Sequence, residues 1–137
     1  MPGKGVAMNG EHRAAGEQLR PARRVLVVDD HPSFRRSASA LLAAEGYDVV
    51  AEAEDGASAV TLASEVGPDL VLLDIQLPDM DGFAVAERLL ADDPELEIVL
   101  VSSRDRSSYG PLIEASGARG FLAKADLSGP ALGSLLE

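Results

Sequence analysis

Cysteine is absent from the 137 residues of this chain, and this absence excludes several kinds of chemistry. Disulfide bonds, thiolate nucleophiles and cysteine-based zinc sites cannot form without it. Long apolar runs are also missing, since none approaches the roughly 20 residues that a membrane-spanning helix needs. The N-terminal residues lack the apolar core of a signal peptide. From these features we expect a cytoplasmic protein that makes no contact with a membrane.

Basic residues are scarce outside the N-terminal segment, so the net charge of −11 is unevenly spread. Residues 1–24 carry five Lys or Arg and two Asp or Glu, which leaves 7 basic and 21 acidic residues in residues 25–137. The strong negative charge of residues 25–137 argues against a broad surface that binds nucleic acid, and we expect no direct contact with nucleic acid. Two interpretations of the basic segment stay open: a solvated tail, or a segment that contacts an anionic partner.

The apolar pattern changes after residue 23. Residues 1–23 show no sustained apolar period and predict a flexible N-terminal extension, followed by one domain over residues 24–137. In that domain, short apolar runs typical of strands buried on both faces alternate with helical periods. The runs are Val25–Val28, Val49–Ala53, Leu70–Leu73, Ile98–Val101 and Phe121–Ala123. The alternation predicts an α/β fold, a flavodoxin-like doubly wound five-stranded parallel sheet of order 2-1-3-4-5.

Carboxylates follow two strands that this order makes neighbours. Asp29 and Asp30 end the first strand, and Asp74 ends the third. Because ligands of doubly wound sheets bind outside the carboxyl ends of the strands, we expect these three acids to converge there. Their mutual repulsion would strain the fold unless a cation compensated it. Oxygen ligands suit a hard divalent ion, so the sequence predicts a Mg²⁺ site.

The other side chains expected at this edge suit a phosphoryl group. Ser102 ends the fourth strand and Lys124 the fifth. Asp74 is then a candidate nucleophile toward phosphorus. Mg²⁺ and Lys124 would neutralise the equatorial oxygens, and Ser102 would donate a hydrogen bond.

Four motifs, in order and suitably spaced, resemble the receiver domain of bacterial two-component response regulators over residues 25–136. They read VLVVDDH, DLVLLDIQLPDMDGF, IVLVSS and GARGFLAKADL. The DDHP opening and the KADL ending resemble most the receivers coupled to helix-turn-helix outputs. The resemblance implies that Asp74 is the phosphoacceptor, that Asp30 binds Mg²⁺ directly and that Asp29 acts mainly through water. It also implies that the backbone carbonyl of Gln76 completes the protein ligands.

The same resemblance implies a conformational switch. Ser102 would be the switch hydroxyl, Lys124 the phosphate-binding cation, and Phe121 the residue at the aromatic switch position. Since Phe121 lacks a hydroxyl, an inward position there gains packing but no hydrogen bond. The phosphoryl donor would be a sensor histidine kinase. An unknown output protein would read the face formed by the fourth helix, fifth strand and fifth helix.

Such a domain catalyses its own phosphorylation and dephosphorylation but is not a turnover enzyme. We expect a stand-alone receiver that is a monomer or weak dimer. One alternative is a receiver-like binding module that works without phosphate, against which the complete set of site residues argues. Another is a Mg²⁺-dependent phosphatase, which needs an acid two residues after its nucleophile, where Gln76 cannot serve. A flavin-binding module is a third, although the acidic DDHPSFR loop would repel a phosphate.

Three local features lead to further expectations. His31 has two interpretations, a metal or catalytic role and a loop or capping role before Pro32. Ala125 stands where many receivers have proline, and we expect a trans peptide because a cis bond there would cost about 3 kcal/mol. The Gly110-Pro111 pair weakens the helical signal around residues 107–116 and predicts a short, mobile helix there.

Overall fold

The computed structural model describes residues 22–137, so most of the predicted extension, residues 1–21, lies outside the described part of the chain. Strands and helices alternate along the described residues, as the apolar pattern predicts. The strands are β1 Arg24–Val28, β2 Asp48–Ala53, β3 Leu70–Asp74, β4 Glu97–Ser102 and β5 Gly120–Ala123. The helices are α1 Pro32–Ala44, α2 Gly56–Val66, α3 Gly82–Asp92, α4 Leu112–Ala115 and α5 Gly129–Leu136.

The five strands form one sheet in the order β2-β1-β3-β4-β5, and all neighbouring pairs are parallel. This confirms the predicted flavodoxin-like order. The register aligns Val28 with Leu73 across β1 and β3, and Asp74 with Val101 across β3 and β4. Residues that end neighbouring strands therefore lie side by side at one edge of the sheet.

Helices cover both faces of the sheet because successive strand residues point to opposite sides. Val25 and Val27 pack in a core cluster with residues of α1 and α5. Leu26 and Val28 pack in a second cluster with residues of α2, α3 and α4. All four of these valine and leucine side chains are fully buried, which explains the continuous apolar run in β1.

Helix boundaries follow local chemistry. The side chain of Asp55 accepts the Ser58 N–H at the start of α2, and that of Asp81 accepts the Ala84 N–H at the start of α3. Gly67 ends α2 in the left-handed conformation with φ of 56°, which glycine adopts without a steric cost.

The predicted weak helix is short. A 3-10 turn, Arg106–Ser108, precedes Gly110 with φ of 56°, and α4 then has four residues. A second 3-10 turn, Lys124–Asp126, leads from β5 toward α5. The peptide bonds within residues 22–137 are all trans, which confirms the expectation for Ala125. In this part of the chain, every helix is too short or too polar to cross a bilayer.

Candidate functional site

The carboxyl edge of the sheet brings Asp29, Asp30, Asp74 and Lys124 together, as the sequence predicts. Asp29 and Asp30 directly follow β1, Asp74 is the last residue of β3, and Lys124 directly follows β5. The Asp29 and Asp74 side chains are buried, with 0% and 2% of their surface exposed. Two carboxylates removed from water require a compensating positive charge.

Lys124 supplies part of that charge. Its Nζ lies 2.6 Å from Asp29 Oδ2 and 3.4 Å from Asp74 Oδ2, and only 14% of its side chain is exposed. The ammonium also stands 4.7 Å from the centroid of the Phe34 ring. A cation over an aromatic face is attracted by the ring quadrupole. Lys124 is therefore held between an aromatic ring on α1 and the two acids.

Backbone groups orient the acids. The His31 N–H donates to Asp29 Oδ1 at 2.8 Å, and the Gln76 N–H donates to Asp74 Oδ1 at 3.1 Å. The Asp29 N–H donates to the Ala53 carbonyl at 3.0 Å, which extends the β1–β2 ladder by one residue. The Asp29 carbonyl accepts from Arg35 Nη1 at 2.6 Å. Asp29 is thus held at its N–H, its carbonyl and its side chain.

Burial raises the pKa of Asp74 above the ordinary value of 3.8, because water no longer solvates the charged form. The charge of Asp29 acts in the same direction. The Gln76 N–H and the Lys124 ammonium oppose this shift by stabilising the carboxylate. The net shift is upward, so additional positive charge at this edge favours the ionised, nucleophilic form of Asp74.

The oxygens of this cluster fit a divalent cation. Asp29 Oδ2 and Asp30 Oδ1 are buried and accept no hydrogen bond; the short Lys124 contact to Asp29 Oδ2 lies outside hydrogen-bond geometry and contributes charge alone. One ligand atom from each of Asp29, Asp30, His31 and Asp74 falls within a group that is 4.8 Å across. Carboxylate oxygens with unused lone pairs suit Mg²⁺, which prefers oxygen ligands.

His31 stands at the start of α1 and beside the acidic cluster, and its metal or catalytic role remains a prediction. It is the N-cap residue of α1, but its side chain makes no capping hydrogen bond. Its Nδ1 instead lies 3.2 Å from Asp29 Oδ1 and 3.2 Å from Asp30 Oδ1. The imidazole therefore borders the acidic cluster.

The other predicted site residues make different contacts. Gln76 pairs with Asp81 in an isolated antiparallel bridge just beyond Asp74. Ser102 is fully buried at the end of β4, and its hydroxyl bonds to Tyr109 rather than to Asp74. Phe121 is buried in the core beside the Tyr109 ring. Phe121 gains packing and no hydrogen bond, as expected.

Three further residues contribute to the site and were not identified from the sequence pattern. Phe34 of α1 packs against a core cluster, and its ring also contacts the ammonium of Lys124. Tyr109 reaches the Ser102 hydroxyl from the segment with the weakest periodicity. The Asp79 carboxylate accepts the N–H groups of Gly56 and Ala57 at 2.8 and 2.9 Å, which ties the loop after β3 to α2. Only the last had a local signal, the LPDMDG motif.

The chain is similar to known proteins in sequence. Residues 25–128 match the family model described as the response regulator receiver domain. The chain is 38% identical over 105 residues to the chemotaxis protein CheY of Bacillus subtilis, an alignment that covers 75% of this chain and 86% of CheY. It is 40% identical over 101 residues to the nitrate/nitrite response regulator NarP of Escherichia coli, covering 73% of this chain and 47% of NarP. The chain spans about half the length of several such regulators, including a putative transcriptional regulator of Pseudomonas aeruginosa at 50%.

A solved structure has the same fold. The signal receiver domain of the putative response regulator NarL from Mycobacterium tuberculosis superposes with a TM-score of 0.74 and 34% identity. The superposition covers 85% of this chain and 98% of that domain. The similarity therefore extends over almost the whole of the compared domain.

Proposed function

The chain belongs to the response regulator receiver domain family, and we propose that it is a phosphorylation-dependent switch whose phosphoacceptor is Asp74. Receiver domains are signalling switches and not turnover enzymes. One observation supports the choice of Asp74 above all: its buried carboxylate ends the central strand β3, 3.4 Å from the ammonium of Lys124. A carboxylate held beside a cation at a strand end is positioned to receive an anionic group.

In the proposed reaction, a carboxylate oxygen of Asp74 attacks the phosphorus atom of a phosphohistidine on a sensor histidine kinase. The P–N bond breaks, its electron pair leaves with the imidazole, and an aspartyl phosphate forms. The Lys124 ammonium neutralises charge on the transferred group and stays within reach of Asp29 after transfer. The phosphoryl oxygens that Lys124 does not contact also carry negative charge, and a second cation is needed to neutralise it.

Asp29, Asp30, Asp74 and the backbone carbonyl of Gln76 are the proposed ligands of that cation, Mg²⁺, with Asp29 acting mainly through water. When bound, the ion supplies positive charge to the phosphoryl oxygens. The two buried carboxylate oxygens without hydrogen bonds support this proposal. Asp29 contributes in addition by holding Lys124 in place.

We propose that phosphorylation changes the face formed by α4, β5 and α5, and that an output protein reads this face. Ser102 is the proposed switch hydroxyl and Phe121 the aromatic residue that repacks. In support, β5 is an edge strand of the sheet, and α4 has only four residues. The relatives include proteins described as transcriptional regulators, whereas the output partner proposed for this chain is a separate protein.

Phosphorylation from a small acyl phosphate tests the proposal directly. The protein is incubated with Mg²⁺ and an acyl phosphate and then weighed by mass spectrometry. We expect the mass to increase by one phosphoryl group, and the increase to be absent after chelation of the metal. Asp74→Asn removes the nucleophile and abolishes the increase. Asp105→Asn is the matched control, because Asp105 lies in a neighbouring loop and its side chain makes no capping bond.

The alternatives give different results. A folded protein that gains no mass under these conditions is a receiver-like binding module that works without phosphate. Repeated hydrolysis of phosphomonoesters, without a stable mass increase, indicates a phosphatase. Mass increase in Asp74→Asn assigns the phosphoacceptor to another residue.

A further inference from the structure

The Ser102 hydroxyl is already engaged in this structure. Its Oγ lies 2.5 Å from Tyr109 Oη, and it accepts the Arg104 N–H at 3.0 Å. Within residues 22–137, it forms no hydrogen bond with Asp74 or Lys124. Because Ser102 is fully buried, these partners replace the water that the hydroxyl would otherwise bind.

The Tyr109 ring has a defined place between two other aromatic rings. It packs edge-to-face on Phe83 of α3, with centroids 5.7 Å apart and planes at 68°. On its other side, Phe121 of β5 lies at 5.9 Å with planes at 56°. The second tyrosine of the chain, Tyr47, packs in the cluster on the opposite face of the sheet. Tyr109 is therefore the tyrosine that places a hydroxyl on this face of the sheet, because the neighbouring Phe121 ring has no hydroxyl.

The chain around Tyr109 has little regular structure to hold it. A three-residue 3-10 turn precedes it, and Gly110 with φ of 56° follows. Leu112, at the start of α4, is 54% exposed and is the large apolar side chain most exposed among the described residues. Because the Leu112 N–H donates to the Tyr109 carbonyl at 3.2 Å, a displacement of Tyr109 would also move this exposed side chain.

We propose that Tyr109 is a positioning residue that holds the Ser102 hydroxyl in the unphosphorylated protein and releases it on phosphorylation. The proposal rests on the proposed phosphorylation of Asp74. A phosphoryl oxygen accepts hydrogen bonds, and a serine hydroxyl has a single hydrogen to donate. Ser102 can donate to the phosphoryl group only after its Oγ turns to another staggered rotamer, away from Tyr109. Tyr109 then loses its partner, and its ring and the 106–112 segment rearrange.

Tyrosine absorbance reports this event, because the chain has no tryptophan and two tyrosines. In Tyr47→Phe, which removes the other tyrosine, Tyr109 is the sole source of the signal. The variant is phosphorylated with an acyl phosphate and Mg²⁺, the phosphorylated fraction is measured by mass, and a difference spectrum is recorded. We expect a difference spectrum that grows in proportion to the phosphorylated fraction. The matched variant Tyr109→Phe, which retains Tyr47, should show no such change.

The energetic part of the proposal is tested with beryllofluoride, which stands for the phosphoryl group. Tyr109→Phe keeps the ring packing and removes the competing hydroxyl, while Ser102 keeps its bond from Arg104. We expect beryllofluoride in the presence of Mg²⁺ to bind about 2- to 10-fold more tightly to Tyr109→Phe than to the unmodified protein, the range of one net hydrogen bond. In a Ser102→Ala background, the same substitution should have no effect, because the competition no longer exists.

The outcomes are distinct. A spectral change that tracks phosphorylation, with a Tyr109→Phe effect that depends on Ser102, supports the proposal. A phosphorylated protein whose Tyr109 spectrum is unchanged overturns it and leaves the proposed function intact. The proposal is also overturned if Tyr109→Phe changes beryllofluoride affinity equally in the unmodified protein and in Ser102→Ala. That result would indicate that Tyr109 has a purely structural role, and it too leaves the proposed function intact. Absence of any mass increase overturns the proposed function and this inference with it.

Discussion

At the scale of single residues, Lys124 balances the charge of the site. Its ammonium contacts the buried carboxylates of Asp29 and Asp74 and the ring of Phe34 at once. Removing one member of a buried charged group leaves the others without compensation. The residue therefore stabilises the metal-free fold as well as serving the proposed chemistry.

Replacing Lys124 with Met should lower the free energy of unfolding by about 3 kcal/mol at neutral pH without metal, because it leaves two buried carboxylates unpaired. Urea denaturation monitored by circular dichroism measures this. The double variant with Asp29→Asn removes one of the two charges and should recover part of the loss. A single variant as stable as the unmodified protein would contradict the assigned charge balance.

At the scale of secondary-structure elements, two contacts fix the loop between β3 and α3, which carries the residues after Asp74. Asp79 accepts N–H groups of Gly56 and Ala57 at the start of α2. At the other end of the loop, the Gly82 N–H donates to the Ile75 carbonyl at 2.6 Å. The loop is therefore held by a charge-dependent contact and by a close approach of backbones.

The Asp79 contact makes stability depend on pH. The two backbone N–H groups, Gly56 first, lower the pKa of Asp79 below its ordinary value of 3.8. A lowered folded-state pKa means that the contribution is complete above the unfolded-state value and is lost as the pH falls through the folded-state value. We expect Asp79→Asn to be less stable than the unmodified protein at pH 7, and this difference to shrink below about pH 4.

Thermal unfolding of both proteins across this pH range measures the difference. Asp105→Asn, which changes a side chain without a capping bond, is the control. A stability gap for Asp79→Asn that stays constant down to pH 2 would mean that the carboxylate charge is not the origin of the effect.

Gly82 allows the loop to approach α3 closely. A Cβ built on Gly82 would lie 2.6 Å from both the Asp74 carbonyl oxygen and the Ile75 Cα, which are backbone atoms. We expect Gly82→Ala to lower the free energy of unfolding by about 1 to 3 kcal/mol, the usual cost of overpacking, and to slow phosphorylation by displacing Asp74.

Gly133 is the matched control, because it lies inside α5 and a Cβ there would meet nothing within 4 Å. Gly133→Ala should raise the free energy of unfolding by about 0.5 to 1 kcal/mol through helix propensity. Chemical denaturation of the two variants side by side gives both values. Equal effects of the two substitutions would contradict the close approach at Gly82.

At the scale of the whole molecule, the proposed metal site joins segments that are distant in sequence. Asp29 and Asp30 belong to the β1–α1 connection and Asp74 to β3. Because the unfolded chain does not bring these residues together, a cation that binds the folded site stabilises the whole fold.

Mg²⁺ at 100 times its dissociation constant should raise the free energy of unfolding by about 2.7 kcal/mol, and chelation should remove this gain. Denaturant unfolding with and without the ion measures it, with a monovalent salt at equal ionic strength as the control. Asp30→Asn should fold normally and lose most of the gain. If Mg²⁺ leaves the free energy of unfolding of the unmodified protein unchanged, this result would argue against the acidic cluster as a metal site.

The sequence predicted the strand order and the meeting of Asp29, Asp30, Asp74 and Lys124 because these follow from local signals. Each acid or lysine directly follows an apolar run, and parallel strands bring such positions to one edge. The end of α2 at Gly67 is equally local, since glycine readily adopts the positive φ found there. The extension over residues 1–23 and the roles of Gln76, Phe121 and Ser102 in the reaction remain predictions.

Apolar runs, helical periodicity and the residues at strand ends thus determined the fold and the place of the site, because each of these signals lies within a short segment of the chain. Only the tertiary structure decided which groups surround that place. Phe34 under the Lys124 ammonium, Tyr109 on the Ser102 hydroxyl and Asp79 on the start of α2 each depend on how one element packs against another. A contact between side chains of different elements leaves no recurring pattern in the sequence, so only the tertiary structure reveals it.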